Sequence, residues 1–238
     1  MLKVNQYREI NSEHIDGLFE RMIHMVSVVE NLDPLDVQHW KANKLIEAYS
    51  ETQKKVNVSE KYSEDIEIDG VKLELLPFTQ LTLGQFINLE DYVSKNFNDN
   101  MHRIASTIYL NSSGGGMFDP IIEDYANVNV EYRAALIDEL PVNLILGACK
   151  KYLTFRDTFF DSYEIFTNPF ADVNPNELNE EEKEIYDQEM KLREKQGDNQ
   201  WLVILNMLTE NDITKFDLVL KQNLFLTFNE ISWLKSNK

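Results

Sequence analysis

Apolar residues recur with a helical period over most of this chain and with a strand period over one stretch, and the two regimes meet at residues 75–93, LLPFTQLTLGQFINLEDYV. Thr82 followed three residues later by Gln85 is a capping box, each side chain reaching a backbone N–H that the first helical turn leaves unpaired. A helix is therefore predicted from this point, with Phe86, Leu89 and Val93 on one face and Asn88, Glu90 and Asp91 pointing away. Upstream, Val56, Val58, Ile66, Ile68, Val71, Leu73 and Leu75 alternate with polar residues, as strands with one buried face do. Asp69-Gly70 supplies the positive φ angles of a two-residue type I′ turn, which makes residues 66–75 a hairpin.

Before the strands, a helix is predicted over residues 12–29, capped by Ser12, with Glu13 and Asp16 in its first turn and Ile15, Leu18, Phe19, Met22 and Val26 on one face. Asp33-Pro34 restarts the chain, Asp33 as cap and Pro34 at the first helical position, and Val37, Trp40, Ala48 and Tyr49 follow. These two helices form a pair.

Beyond residue 93, Asn98 or Asp99 begins a helix that buries Ile104, Ala105, Ile108 and Tyr109 and ends in NSSGGG, with Gly114 to Gly116 as a loop. Asp119-Pro120 opens a short helix carrying Ile121, Ile122 and Tyr125. The largest helical block covers residues 130–139, breaks at Leu140-Pro141 and resumes over 142–166. Leu146, Cys149, Tyr152, Leu153, Phe159, Phe160, Tyr163 and Phe166 are too many for one narrow stripe, so this helix is buried on several sides or meets a partner. Residues 168–179 have linker composition, and 180–195 form a charged helix with Asn179 as cap. Three short helices are expected at 201–208, 212–221 and 225–234. The fold class is mainly α, with one small antiparallel hairpin or sheet near residues 56–75 and a helical, bundle-like body. Its expected divisions are residues 1–55 (helical pair), 56–76 (hairpin insertion), 77–167 (central body), 168–198 (acidic linker and charged helix) and 199–238 (C-terminal cover).

Composition narrows the function. Lys+Arg 23 against Asp+Glu 41 gives a net charge of −18, which repels a phosphate backbone, so no direct specific nucleic-acid binding is expected. Lys54-Lys55 and Lys150-Lys151 are the nearest basic pairs, and each reads as a solvated face. No run approaches the roughly 18 apolar residues of a spanning helix, and MLKVNQYREI has no signal-peptide apolar region, so no membrane role is expected.

The single cysteine, Cys149, excludes an intramolecular disulfide and sits at helical spacing in LILGACKKYL, as a buried, inert thiol. His14, His24 and His39 do not match a tight ligand spacing, and no metal or cofactor is expected. Asp65, Glu67 and Asp69 before Gly70 imitate the opening of a calcium loop, but Leu76 occupies the twelfth position, where a bidentate carboxylate is needed. The three glycines at 114–116 follow a helix and precede Met117-Phe118, unlike a phosphate cradle. Glu123 and Asp124 read as helix-dipole partners and not as an acid and base pair. No catalytic residues emerge, and an enzyme is not expected.

The order of signals LTLGQFINLEDYV, HRIASTIYL, a short helix, ELPVNLILGACKKYLTF, WLVILNMLTENDITKFDLVL and NEISWL resembles small acidic helical virion and morphogenesis proteins of tailed bacteriophages, over about residues 75–234. That group includes tail-assembly chaperones, neck or connector factors and packaged cargo proteins. The resemblance implies a non-enzymatic protein-binding component of virion assembly, located in the virion or the host cytoplasm. Its partners would be other phage structural proteins of the tail, neck or portal region, or further copies of itself. Phe86, Leu89, Tyr152, Phe159, Phe160, Tyr163 and Trp233 are the candidate contact residues. The alternative is an acidic DNA mimic that inhibits a host DNA-binding enzyme.

Overall fold

The computed structural model describes residues 1–12, 15–57, 61–113, 121–163, 183, 186 and 200–236. It is mainly α-helical with a small antiparallel sheet. The chain divides into two compact units interleaved in sequence: Met1–Phe78 with Asn88–Leu153, and Thr79–Ile87 with Thr154–Lys238. The segments expected as separate divisions at 1–55 and 56–76 both fall within the first unit.

The first unit begins with helix α1 (Val4–Ser12) where no element was expected. Ser12 is thus the last residue of a helix and not a cap. The next helix, α2 (Leu18–Glu30), starts at Gly17 without a side-chain cap. The chain ahead of α1 is tied down by backbone pairing to a distant turn, with Val4 N donating to Leu140 O and Val142 N to Leu2 O, each at 3.0 Å. Leu2 and Val4 are buried there.

Asp33 caps α3 (Pro34–Gln38) as expected, its carboxylate accepting from Leu35 N at 2.8 Å. The chain turns again at His39, so α4 (Ala42–Val56) is a separate helix. Met22, Val26, Val37 and Leu45 make the buried cluster of these helices, with Ile23, Trp40, Ala48 and Tyr49 packed against it. Leu18 is 70% exposed and Phe19 50%. The buried stripe of α2 is therefore Met22, Met25 and Val26, narrower than the pattern suggested.

Val56 ends α4 and does not begin a strand; Val58 lies outside the described residues. The hairpin itself forms as expected, with β1 (Asp65–Ile68) antiparallel to β2 (Val71–Leu75) and Ile68 opposite Val71. Asp69 and Gly70 have φ of 51° and 76°, the pair of positive values that a type I′ turn requires and that glycine adopts without a Cβ penalty. Ile66 and Leu73 face each other across the strands, both buried.

The sheet continues beyond the hairpin in the order β1-β2-β3-β4. Tyr109–Ser113, expected as a helix end, is β3, and its Tyr109 pairs with Leu75. Ile121–Ile122, expected in a short helix, is instead the two-residue β4 on the outer side of β3. The Gly114 to Gly116 loop and the Asp119-Pro120 start lie outside the described residues.

Helix α5 (Leu83–Ile108) is interrupted at Asn96, whose backbone is extended (φ 178°, ψ 120°). Asn96 Oδ1 then accepts from Asn98 N at 2.9 Å and so caps the second segment, two residues before the predicted start. The buried Asn100 amide bridges the interruption, donating to Tyr92 O at 3.2 Å and Asn96 O at 3.0 Å, where helical bonding is broken. Met101, Ile104, Ala105 and Ile108 of this segment are buried, as are Ala134 and Ile137 of α6 (Val130–Ile137) and Leu146, Ala148, Cys149 and Tyr152 of α7 (Leu146–Asp161). The break at Pro141 is present, followed by one 3-10 turn. The long helix ends at Asp161, short of the predicted 166.

In the second unit, the capping box closes as predicted: Thr82 N donates to Gln85 Oε1 at 3.0 Å and Gln85 N to Thr82 Oγ1 at 3.2 Å. The same segment pairs with the turn between α9 (Phe216–Leu220) and α10 (Leu224–Ser236), Leu83 N donating to Gln222 O and Leu224 N to Leu81 O. A Cβ on Gly84 would stand 3.1 Å from Leu220 O, a close approach that a hydrogen atom permits. Helix α8 (Gln200–Leu208) lies where expected. The predicted linker at 168–179 and, apart from Lys183 and Tyr186, the charged helix at 180–195 lie outside the described residues.

Candidate protein-binding surface

The aromatic residues proposed as contacts are chiefly packing residues. In the second unit Phe86 is fully buried and Phe159 nearly so. Phe86 stands 5.0 Å from Phe159, 5.7 Å from Phe160 and 5.7 Å from Trp201, centroid to centroid. Phe159 meets Phe225 and Phe228 at 5.4 and 5.2 Å with interplanar angles of 85° and 86°. Edge-to-face contacts place a positive ring edge on a negative face and add about 0.5–1.5 kcal/mol per pair beyond area burial. Tyr163 is buried beside Phe228 and its hydroxyl lies 3.0 Å from Asn229 Oδ1, while Phe160 is half-buried under the Arg156 guanidinium.

In the first unit Leu89 is fully buried, and so is Tyr152, which donates its hydroxyl to Glu90 Oε1 at 2.9 Å. Glu90 was expected to point to solvent. It stands at i+4 from Phe86 and beside Leu89, and the tyrosine hydroxyl of another helix supplies a donor to the buried carboxylate. A ring packed inside a core offers no surface to a partner, so of the seven contact candidates only Trp233, 64% exposed, lies well open to solvent.

The apolar surface that is open lies elsewhere. On the first unit a shallow groove runs between the end of α2 and the outer side of α4, lined by Leu32, Trp40, Ile46 and Ala48 together with Glu30, Lys44, Glu47, Ser50 and Glu51. Ile46 is 56% exposed while its neighbour Leu45 is buried in the helical cluster. The Lys44 ammonium sits 3.4 Å from the centroid of the Trp40 ring. On the second unit Leu226 and Trp233, seven residues apart on α10, are both exposed, Leu226 at 69%. Of these residues only Trp233 was named from the sequence as a contact; the groove was not, although Ile46 falls outside the apolar stripe of its helix, which is the available signal.

Several polar groups among the described residues serve structure. Arg8 Nη1 lies 2.7 Å from Asp138 Oδ1 and its Nε donates to Asp99 O at 2.9 Å. Arg103 pairs with Glu131 at 2.9 Å and Arg133 with Glu123 at 2.7 Å. Asp124 caps a 3-10 turn through Ala126 N, and Glu123 accepts from Asn111 N. His102 is buried among these groups, and burial above all pulls its pKa down to about 4, against the opposing pull of Asp138, so the ring is neutral near pH 7. Burial pushes the Cys149 thiol well up; fully buried, its sulfur stands 3.7 Å from Met101 O.

Lys54 and Lys55 are held by Glu51 and Glu30, and Lys151 by the Tyr62 hydroxyl. Asp65 of the calcium-like run pairs with Lys72 across the hairpin. Among the described residues no group of three or more His, Cys, Asp or Glu is placed to hold a metal ion, and no helix is long and apolar enough to cross a membrane. His14 lies outside the described residues, and His24 and His39 belong to different elements. Comparison with protein families, with characterised proteins and with solved structures finds no match to this chain.

Proposed function

We propose that this chain works by binding other proteins, as a non-enzymatic component of tailed-phage virion assembly. The observation that carries the reading is a clustered apolar surface on an otherwise strongly acidic molecule: Leu32, Trp40 and Ile46 line one groove within a chain of net charge −18. Scattered surface leucines are ordinary, but an apolar cluster with a polar rim is the usual form of a protein contact. The order of its helical signals, which resembles that of tailed-phage virion proteins, supports the particle as the setting.

The DNA-mimic alternative calls for carboxylates presented freely at phosphate-like intervals. Instead Glu139, Asp138, Glu131 and Glu123 are engaged by Lys3, Arg8, Arg103 and Arg133. Mass spectrometry of intact particles and of assembly intermediates from the encoding phage tests the proposal. Presence in the particle, or stable co-purification with tail, neck or portal proteins, is expected; absence from both refutes it.

A further inference from the structure

We propose that α1 and the residues ahead of it form a strap that acid releases from the first unit, with the imidazole of His102 as the trigger. Polar ties do most of the holding. Leu2 and Val4 are the buried apolar residues of the strap, and the rest of α1 is half-buried or exposed. The ties converge on the turn that follows α6: Asn5 N donates to Asp138 O at 3.0 Å, Asn5 Nδ2 to Glu139 Oε1 at 3.1 Å, and Lys3 pairs with Glu139 at 2.6 Å. Arg8 Nη1 lies 2.7 Å from Asp138 Oδ1, and Gln6 Nε2 donates to Val28 O at 2.8 Å. A segment with few buried apolar contacts opens at a lower free energy than the whole fold, so this strap can leave while the sheet and α5 stay folded.

Arg8 crosses the face of α5 that carries His102, its Nε donating to Asp99 O one helical turn earlier. His102 is 7% exposed, and its Nδ1 has no hydrogen-bond partner among the described residues. The charged groups around the ring are Arg8 from the strap, Glu131 and Asp138 from α6 and its end, and Arg103 and Asp99 on the histidine's own helix. Arg8 already holds Asp138, and Arg103 holds Glu131. A proton on the ring therefore adds a third cation beside two carboxylates that each have a partner. With the strap off, the ring meets water and regains an ordinary pKa of about 6.5, against about 4 when it is covered. The open form thus takes the proton more readily, and closure is complete above about pH 6.5 and weakens as pH falls toward 4. Release uncovers Leu2 and Val4 and frees the backbone of Leu140 and Val142 that they pair with.

Amide hydrogen exchange of the full chain between pH 8 and pH 5 reads the strap through Val4 N and Asn5 N, which donate to Leu140 O and Asp138 O. Protection factors remove the pH dependence of the exchange chemistry itself. Protection of these two amides should fall about thirtyfold from pH 8 to pH 5 and respond weakly to low urea, as an opening that exposes little surface does. Leu76 N, which donates to Ile108 O in the body of the unit, should stay better protected and respond more steeply to urea. In His102→Gln the thirtyfold fall should shrink to less than about threefold.

An undiminished fall in His102→Gln overturns the inference, and so does a urea dependence at Val4 and Asn5 equal to that at Leu76. Two further measurements do not depend on that variant folding. In the parent chain the His102 imidazole resonances should show a neutral ring down to about pH 5; titration at the ordinary 6.5 refutes the trigger. Arg8→Gln keeps the histidine and weakens its cover, so strap protection should drop at pH 8 and the imidazole should titrate at higher pH than in the parent; an unmoved titration refutes the coupling of strap to ring.

Discussion

Replacing Phe86 with alanine empties the centre of the aromatic cluster in the second unit. The ring is fully buried and within 6 Å, centroid to centroid, of Phe159, Phe160 and Trp201. Truncating a buried phenylalanine costs the transfer free energy of the lost atoms plus that of the cavity left behind, about 3–5 kcal/mol in all. The rigid rings around it cannot collapse far into the gap, which places the expected loss toward the upper part of that range. A domain's whole stability is only about 5–15 kcal/mol, so the variant should be close to unfolding.

Thr82→Ala, four residues away, is the internal control. It removes the acceptor for Gln85 N but leaves the helical turn and its packing in place, and should cost about 1 kcal/mol. Urea unfolding followed by tryptophan fluorescence and far-ultraviolet circular dichroism measures both, and an unchanged m value shows that midpoints can be compared. Equal and small losses in the two variants would mean that the ring is not enclosed as described, and the reasoning from the aromatic cluster would fail with it.

Stability should fall with acid through His102. Its folded pKa lies near 4, below the unfolded value of about 6.5, so the unfolded chain takes up the proton first. The contribution is therefore complete above about pH 6.5 and lost as pH falls toward 4, at up to roughly 1.4 kcal/mol per pH unit; His102→Gln should flatten that part of the stability profile, and an unaltered slope would refute the assignment. Asn100→Leu should cost about 1–3 kcal/mol, because the carbonyls of Tyr92 and Asn96 lose their shared donor inside the protein; a neutral effect on the denaturation midpoint would show that water replaces the amide. The chain should not bind free duplex DNA at about 0.15 M salt, given its charge of −18; a salt-sensitive shift of an unlabelled duplex in a mobility assay would reveal a basic face.

What the sequence by itself determined is the chemistry that acts within a few residues. Asp69-Gly70 specifies its turn because two positive φ angles are needed at adjacent positions, and the structure has them. Thr82 with Gln85, Asp33 with Pro34, and the break at Pro141 are equally local, each decided by one backbone N–H and the nearest side chain. The mainly helical class with a small antiparallel sheet follows from the same signals.

Only the tertiary structure decided which apolar faces became core and which stayed open. Tyr109–Ser113 is a strand because β2 offers an unpaired edge to it, and nothing within the segment says so. The chain ahead of α1 is held by a turn more than a hundred residues away, out of reach of any periodicity argument. Leu18 and Phe19 look like core residues by type and end up exposed, whereas Glu90 looks like a surface residue and is buried against the Tyr152 hydroxyl. In each case the deciding free energy belongs to a contact with another element. Hydrophobic burial is non-directional, so the residues on one helix set how much apolar surface there is to cover, and the neighbouring elements determine which part of it is covered.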